Sequence, residues 1–364
     1  MVRSDSERSN LTDSRRPISI LSDLRTPAFV LAGVDAAFLA IVHARPGLMA
    51  VALWYMFPVP IALTCAVLLA MAFWRSWRRR EVPNRRQLEA FVALGLVAGS
   101  LAAFRTYPSS HDERPSDIRF RLPLDGPVTV AWGGPTLEVN YHGVMSDQRW
   151  AYDLLVTVNG RTFLRDGTTL QDFHAYGRPV RAPAAGLVRA THDREPDGPI
   201  GQWRFLGAMG NHVVLEVAPG QFLFIAHLQP GSLSVVPGDR VEAGQVLGRV
   251  GNSGNSSEPH VHVHLQDTST PFFGEGIPFY FHGYRVAGVE MERGMPLGGR
   301  ERRSRRWPGA FIGDTVEQVT SVKGSALDIP AEPLPDRQCL SGALCAPSPL
   351  CGPTMRIKFT LGAA

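Results

Sequence analysis

Hydrophobic positions cluster in three long stretches within the first 110 residues, at 27–42, 48–74 and 88–104, separated by short polar segments. Each is near the ~20 residues that a helix needs to cross a hydrocarbon layer of about 30 Å, so three transmembrane helices are expected. The second is too long and too free of charge for a helix of an ordinary core. The first carries Asp35, a group that costs at least ~2.5 kcal/mol at mid-membrane on insertion scales. From about Arg119 the pattern changes to short runs of Val, Leu and Phe, broken about every ten residues by Gly, Pro, Asn or Asp. That texture predicts antiparallel strands, with candidates at 128–132, 151–158, 186–190, 212–217, 222–227, 246–250 and 260–266. Asn159-Gly160 and Pro219-Gly220 read as hairpin turns.

The chain thus divides into an N-terminal segment 1–26, a helical region 27–104, a linker 105–118, a mainly β domain 119–293 and a Pro/Gly-rich tail 294–364 that is expected to be disordered. Charge orients the helices. Arg3, Arg8, Arg15, Arg16 and Arg25 precede the first stretch, and Arg75, Arg78, Arg79, Arg80, Arg85 and Arg86 lie between the second and third, whereas only Arg45 separates the first two. Short arginine-rich loops stay in the cytoplasm, which puts the N-terminus inside and everything past Phe104 outside, periplasmic or extracellular. The net charge of +4 is unevenly placed, and no nucleic-acid partner is expected from it. The basic run 300–306 reads as a solvated surface. Cys65 lies in an apolar stretch and Cys339, Cys345 and Cys351 in the tail, with no Cys-x-x-Cys pattern for a metal or redox centre. Oligomeric state is left open.

The chemistry concentrates in Glu258-Pro-His-Val-His-Val-His-Leu-Gln266. Strand side chains alternate between faces, so His260, His262 and His264 share one face while Val261, Val263 and Leu265 pack the other way. Buried imidazoles need hydrogen-bond partners, so packing alone does not account for such a stripe. Two imidazoles two residues apart suit a zinc site, and a catalytic site needs further ligands from elsewhere.

Around this strand stand Gly210-Asn-His-Val-Val-Leu-Glu216, Ile225-Ala-His-Leu228, Val236-Pro-Gly-Asp-Arg-Val-Glu-Ala-Gly-Gln-Val-Leu-Gly248, Gly251-Asn-Ser-Gly-Asn-Ser256 and Pro259-His-Val-His262. In order and spacing, from Arg178 to Gln266, these resemble the lysostaphin-type (M23) peptidases. The resemblance implies a small antiparallel β-sheet or open-barrel fold holding Zn2+, and an endopeptidase acting on peptides of bacterial peptidoglycan. It implies His262 as a zinc ligand, with His260 as general base and His227 as stabiliser of the oxyanion. The remaining ligands of such enzymes are a histidine and an aspartate, usually four residues apart. Here Asp153, in Tyr152-Asp-Leu-Leu-Val156, fits the aspartate, but the residue four before it is Arg149, a cation that cannot bind zinc. Asn140-Tyr-His142 followed by Ala151-Tyr-Asp153 resembles a branch in which a longer loop carries the first ligand, which assigns His142. His264, about 7 Å along the strand from His262, is left without a role. The loops 160–177 and 191–208 flank the expected groove.

Three other readings compete. Ala182-Pro-Ala-Ala-Gly-Leu-Val188 also resembles biotinyl and lipoyl carriers, but these need a hairpin lysine and the only lysines are Lys323 and Lys358. A catalytically inactive, peptidoglycan-binding or hydrolase-activating module of the same fold is suggested by the unusual spacing from His142 to Asp153. A transport or signalling role is suggested by the apolar stretches, whose ionisable groups, Asp35 and Glu89, form no repeated pair.

Overall fold

Pro58 decides the shape of the second apolar stretch. Having no N–H to give to a preceding carbonyl, it breaks the run into two helices and occupies the first turn of the second, where a missing donor costs nothing. The computed structural model, which describes residues 24–44, 47–80, 82–102, 106–202, 204, 207–299 and 313–319, therefore opens with four helices. These are α1 (Arg25–Ala44), α2 (Leu48–Met56), α3 (Pro58–Arg79) and α4 (Arg85–Ala102). A reciprocal cap starts α4, with Asn84 Oδ1 accepting from the Gln87 amide at 3.0 Å and Gln87 Oε1 accepting from the Asn84 amide at 2.9 Å. α1 and α4 run in the same direction, since Arg25 pairs with Glu89 at 3.1 Å and, further along both, Ser100 Oγ donates to Asp35 at 2.7 Å.

Among the described residues, two segments are long and apolar enough to cross a membrane, Arg25–Ala44 and Leu48–Arg78. The third expected span is not one of them. Arg85, Arg86 and Glu89 occupy the first turns of α4, and the uncharged remainder is about 20 Å long at 1.5 Å per residue, against a layer of ~30 Å. The expectations for residues before 24, for 300–306 and for Cys339, Cys345 and Cys351 lie outside the described residues.

The remainder is mainly β. Its strands are β1 (Val128–Trp132), β2 (Tyr152–Leu155), β3 (Pro179–Arg181), β4 (Gly186–His192), β5 (Asn211–Ala218) and β6 (Gln221–Leu228), then β7 (Arg240–Val241), β8 (Val246–Arg249), β9 (Val261–Gln266), β10 (Phe281–Val286), β11 (Val289–Gly294) and β12 (Thr315–Gln318). Ten form one antiparallel sheet in the order β11-β10-β12-β1-β2-β9-β6-β5-β4-β7, and β3 pairs with β8. Both expected hairpin turns are present. Asn159 and Gly160 have positive φ, 52° and 73°, as a two-residue hairpin requires, and Pro219-Gly220 joins β5 to β6.

The sheet is larger than the sequence suggested, because β7, β10, β11 and β12 were not expected. β12 belongs to a stretch assigned to the tail. Its Thr-Val-Glu-Gln carries a single apolar side chain, yet Val316 is fully buried and Gln318 Oε1 accepts from the Leu122 amide at 2.7 Å. The linker is likewise fastened to the domain: Tyr107 is fully buried and its hydroxyl donates to Glu275 at 2.6 Å, while Ser109 Oγ donates to the Gly276 carbonyl at 2.8 Å. Under the sheet, Val261, Val263 and Leu265 pack with Leu154, Leu223 and Ile225 in the main core. The opposite face of β9 is left to the histidines.

Candidate metal centre

Cross-strand register builds half of the site. Asp153 of β2 lies directly opposite His262 of β9, and directly paired residues point to the same face. His262 Nδ1 is consequently 2.9 Å from Asp153 Oδ1, and His260 Nε2 lies 3.6 Å from the same oxygen. On the other side of β9, Ala226 of β6 faces His262. Plain alternation would turn His227 away, onto the core face. Instead β6 carries a register shift against β5 between Asn211 and Val213, and His227 adopts a left-handed backbone with φ 63°. That conformation is costly for a non-glycine residue. It brings the His227 ring 4.7 Å from that of His260 and 5.7 Å from that of His262.

Two backbones cross beneath His227. Gly210 (φ 58°) and Gly254 (φ 75°) approach so closely that a Cβ on Gly254 would lie 2.4 Å from the Gly210 nitrogen. The Gly-Asn-Ser-Gly motif is thereby held against β5, and the Ser253 carbonyl accepts from His227 Nδ1 at 2.8 Å. His260 Nδ1 donates to the Glu258 carbonyl at 2.7 Å, and Thr162 Oγ1 ties the Glu258 carboxylate to the 160–177 loop at 2.8 Å.

A loop supplies the other half. His142 sits on a 3₁₀ turn, Tyr141–Val144, whose start is capped by Asn140. The Asn140 carboxamide accepts from the His142 amide at 3.2 Å and from His142 Nδ1 at 3.0 Å, and its own N–H groups reach the Gly134 and Ala151 carbonyls at 3.1 Å. His142 Nε2 is thus turned inward, 3.6 Å from Asp153 Oδ2. Arg149 bonds to the Tyr107 and Pro135 carbonyls at 3.1 Å, lies 3.6 Å from Asp112 and stacks over Trp150. These partners explain how an arginine stands four residues before Asp153 while the loop delivers His142.

Proton positions follow from a chain of hydrogen bonds, assigned from the network. Gln266 Nε2 donates to the Thr268 and Thr270 carbonyls, so its Oε1 faces His264 Nε2 as acceptor, at 3.2 Å. Burial foremost, then His262, holds the His264 pKa well below its ordinary value. Neutral His264 then accepts at Nδ1 from His262 Nε2 at 2.9 Å, so that Nδ1 is the His262 nitrogen that faces Asp153. Burial foremost pushes the His142 pKa down to about 3, against the pull of Asp153, and its Nδ1–H is already given to Asn140. Burial by itself would raise the pKa of Asp153, but His142 and His260 outweigh it and hold the carboxyl well below the usual range. His227 is likewise held well below its ordinary value, by burial and then His260. His260 is raised, because Asp153 more than offsets burial.

His142 Nε2 and His262 Nδ1 therefore both face one buried carboxylate, a geometry in which a cation between the three donors would offset the buried charge. His142, Asp153 and His262 are all buried, and their ligand atoms lie within 4.8 Å of one another. Two histidines and an aspartate form a donor set that zinc takes, and bonds of ~2.1 Å in a tetrahedron place ligand atoms about 3.4 Å apart. The residues present fit the ion.

All five residues singled out by sequence, His142, Asp153, His227, His260 and His262, meet in this one place. Two contributors were missed. Asn140 was noted only as part of a motif, although an amide two residues before a ligand histidine is a local orienting signal. His264 was seen to share the face, but its role as acceptor for His262 depends on Gln266, two residues on in the same strand.

Residues 167–273 match the model of Peptidase family M23. The chain carries an M23 peptidase domain. The matched segment includes His227, His260 and His262 and leaves His142 and Asp153 upstream of it. Solved structures similar to this chain include a catalytic-domain mutant of the prophage-encoded M23 protein EnpA from Enterococcus faecalis, with 22% identity over 44% of this chain and 94% of that one, TM-score 0.29. The catalytic domain of lysostaphin from Staphylococcus simulans matches with 19% identity over 41% and 86%, TM-score 0.25. A zinc-containing peptidase from Vibrio cholerae matches with 18% identity over 42% of this chain and 37% of that one, TM-score 0.27. No curated protein matches the chain.

Proposed function

We propose that this chain is a membrane-anchored zinc metalloendopeptidase that cleaves peptide bonds of bacterial peptidoglycan, with its β domain outside the cytoplasm. The convergence of His142, Asp153 and His262, with His260 and His227 beside them, carries this reading. The anchoring draws support from the two segments long and apolar enough to cross a membrane, Arg25–Ala44 and Leu48–Arg78, and from the arginines that flank them.

His142 Nε2, Asp153 and His262 Nδ1 would hold the ion. When bound, zinc supplies Lewis-acid polarisation of the scissile carbonyl and acidifies nearby water. His260, with Nδ1–H given to the Glu258 carbonyl, offers Nε2 to the proton of the attacking water, and Asp153 at 3.6 Å stabilises the imidazolium that results. His227, with Nδ1–H given to the Ser253 carbonyl, stabilises the developing oxyanion through Nε2 once the proton that the water yields to His260 has passed to it, the two rings lying 4.7 Å apart. The reading as an inactive wall-binding module rested on the spacing between His142 and Asp153. Their approach to 3.6 Å supports metal binding instead.

The test uses the full chain in detergent: zinc content is measured, and fragments released from isolated peptidoglycan are identified by mass spectrometry. Stoichiometric zinc and released peptides are expected, and His260→Ala should retain zinc while losing hydrolysis. A zinc-free wild type or a fully active His260→Ala overturns the assignment.

A further inference from the structure

The loop that carries His142 does not satisfy its own backbone within the β domain. A buried loop must place each N–H and C=O somewhere, and here three of these groups go to the apolar N-terminal region and the linker behind it. The Gly143 carbonyl accepts from the Tyr107 amide at 2.8 Å. The Val144 carbonyl accepts from Trp54 Nε1 at 2.9 Å. The Ser146 amide donates to the Tyr55 hydroxyl at 3.0 Å, and Ser146 Oγ reaches the same oxygen at 3.2 Å. Trp54 and Tyr55 both belong to α2, the short helix that Pro58 separates from α3. The Trp54 ring also packs edge-on against Tyr107, 5.3 Å between centroids, within a small cluster formed by Phe38, Val42 and Val51.

From these contacts we infer that α2 positions the metal centre, with Trp54 and Tyr55 holding the 143–146 backbone so that His142 reaches Asp153. They are positioning residues, acting through the loop and touching neither the donor set nor a substrate. Trp and Tyr are the side chains expected where a helix meets a membrane surface. Here their polar ends are turned to the loop that bears a ligand, so the apolar region fastens the site as well as anchoring the chain. A β domain cut free at Arg119 would lose all three backbone partners. The inference rests on the metal-centre reading given above.

The test compares the full wild-type chain in lipid nanodiscs with Trp54→Phe, Tyr55→Phe and the double variant; Tyr55→Phe removes only a hydroxyl, while Trp54→Phe removes the indole N–H together with part of the ring that packs on Tyr107. Co2+ and Zn2+ affinities are read by chelator competition, Co2+ ligand-field absorption reports geometry, and amide hydrogen exchange reports order. Loss of an outer partner of a metal ligand typically weakens binding 10–100-fold, and about tenfold is expected for the double variant, with a changed Co2+ spectrum. Exchange at Ser146 should quicken while β6 and β9 stay protected, which separates loss of positioning from unfolding. Unchanged affinity and spectrum in the double variant overturn the inference, as does unfolding of β6 and β9 in step with the loop. A wild type that takes up no Co2+ sinks the metal-centre reading itself, a result visible before any substitution is made.

Discussion

The two halves of the candidate metal centre are built by different means. Asp153, His260 and His262 stand on or beside paired strands, where register fixes their spacing and the apolar core beneath β9 holds the backbone. His142 stands on a loop, aimed by the Asn140 side chain and by bonds that the loop makes with Tyr107 and α2. The strand half is secured by many cooperating ladder bonds and buried side chains, so no single contact decides it. The loop half rests on a few individual hydrogen bonds, so it is the part that distant substitutions can disturb.

That contrast can be broken most severely at the residue both halves share. Asp153→Ala removes the carboxylate that meets His142, His260 and His262, and should abolish metal binding and hydrolysis together, read by metal analysis and peptide release. A variant that still binds stoichiometric zinc would refute the shared-ligand arrangement. Next in size, His227→Ala should keep the metal and lower kcat by ~10²–10³, the usual cost of losing one oxyanion donor, in steady-state assays on a synthetic stem peptide.

Asn140→Ala and His264→Ala sharpen the comparison, since each removes the hydrogen-bond partner of one candidate ligand, His142 in the loop and His262 in the strand respectively. Both should weaken zinc binding by ~10–100-fold. Hydrogen exchange should then differ, with the 141–147 loop loosened in Asn140→Ala and the strands unaltered in both. Equal loosening of the two halves would mean that they are not independently supported. The smallest effect is expected at His212, which bonds the Gly210 carbonyl at 2.7 Å and stacks near His192, outside the donor set. His212→Ala should leave zinc content and peptide release unchanged.

Much of this was legible from local pattern. The alternation of His260, His262 and His264 with Val261, Val263 and Leu265 foretold which face is core and which is chemistry, and the hairpin turns followed from Asn159-Gly160 and Pro219-Gly220. The helices were less legible, because Pro58 splits the second apolar stretch in two and Arg85, Arg86 and Glu89 shorten the third, whose average character stays hydrophobic. β12 was illegible, since a strand with one apolar side chain is recruited by edges that are formed far away in sequence.

The sequence by itself determined the periodicities, and with them the shared face of three histidines and the core beneath them. Short-range sterics and the two-residue repeat of a strand act on neighbours, so they can be read without knowing the fold. Only the tertiary structure decided that Asp153 lies across from His262 and that His227 turns left-handed to join them. It also decided that Arg149 is drawn off by Tyr107, Pro135 and Trp150 while α2 holds the loop of His142. Each of these depends on contacts between segments far apart in the chain, and no local pattern carries that information.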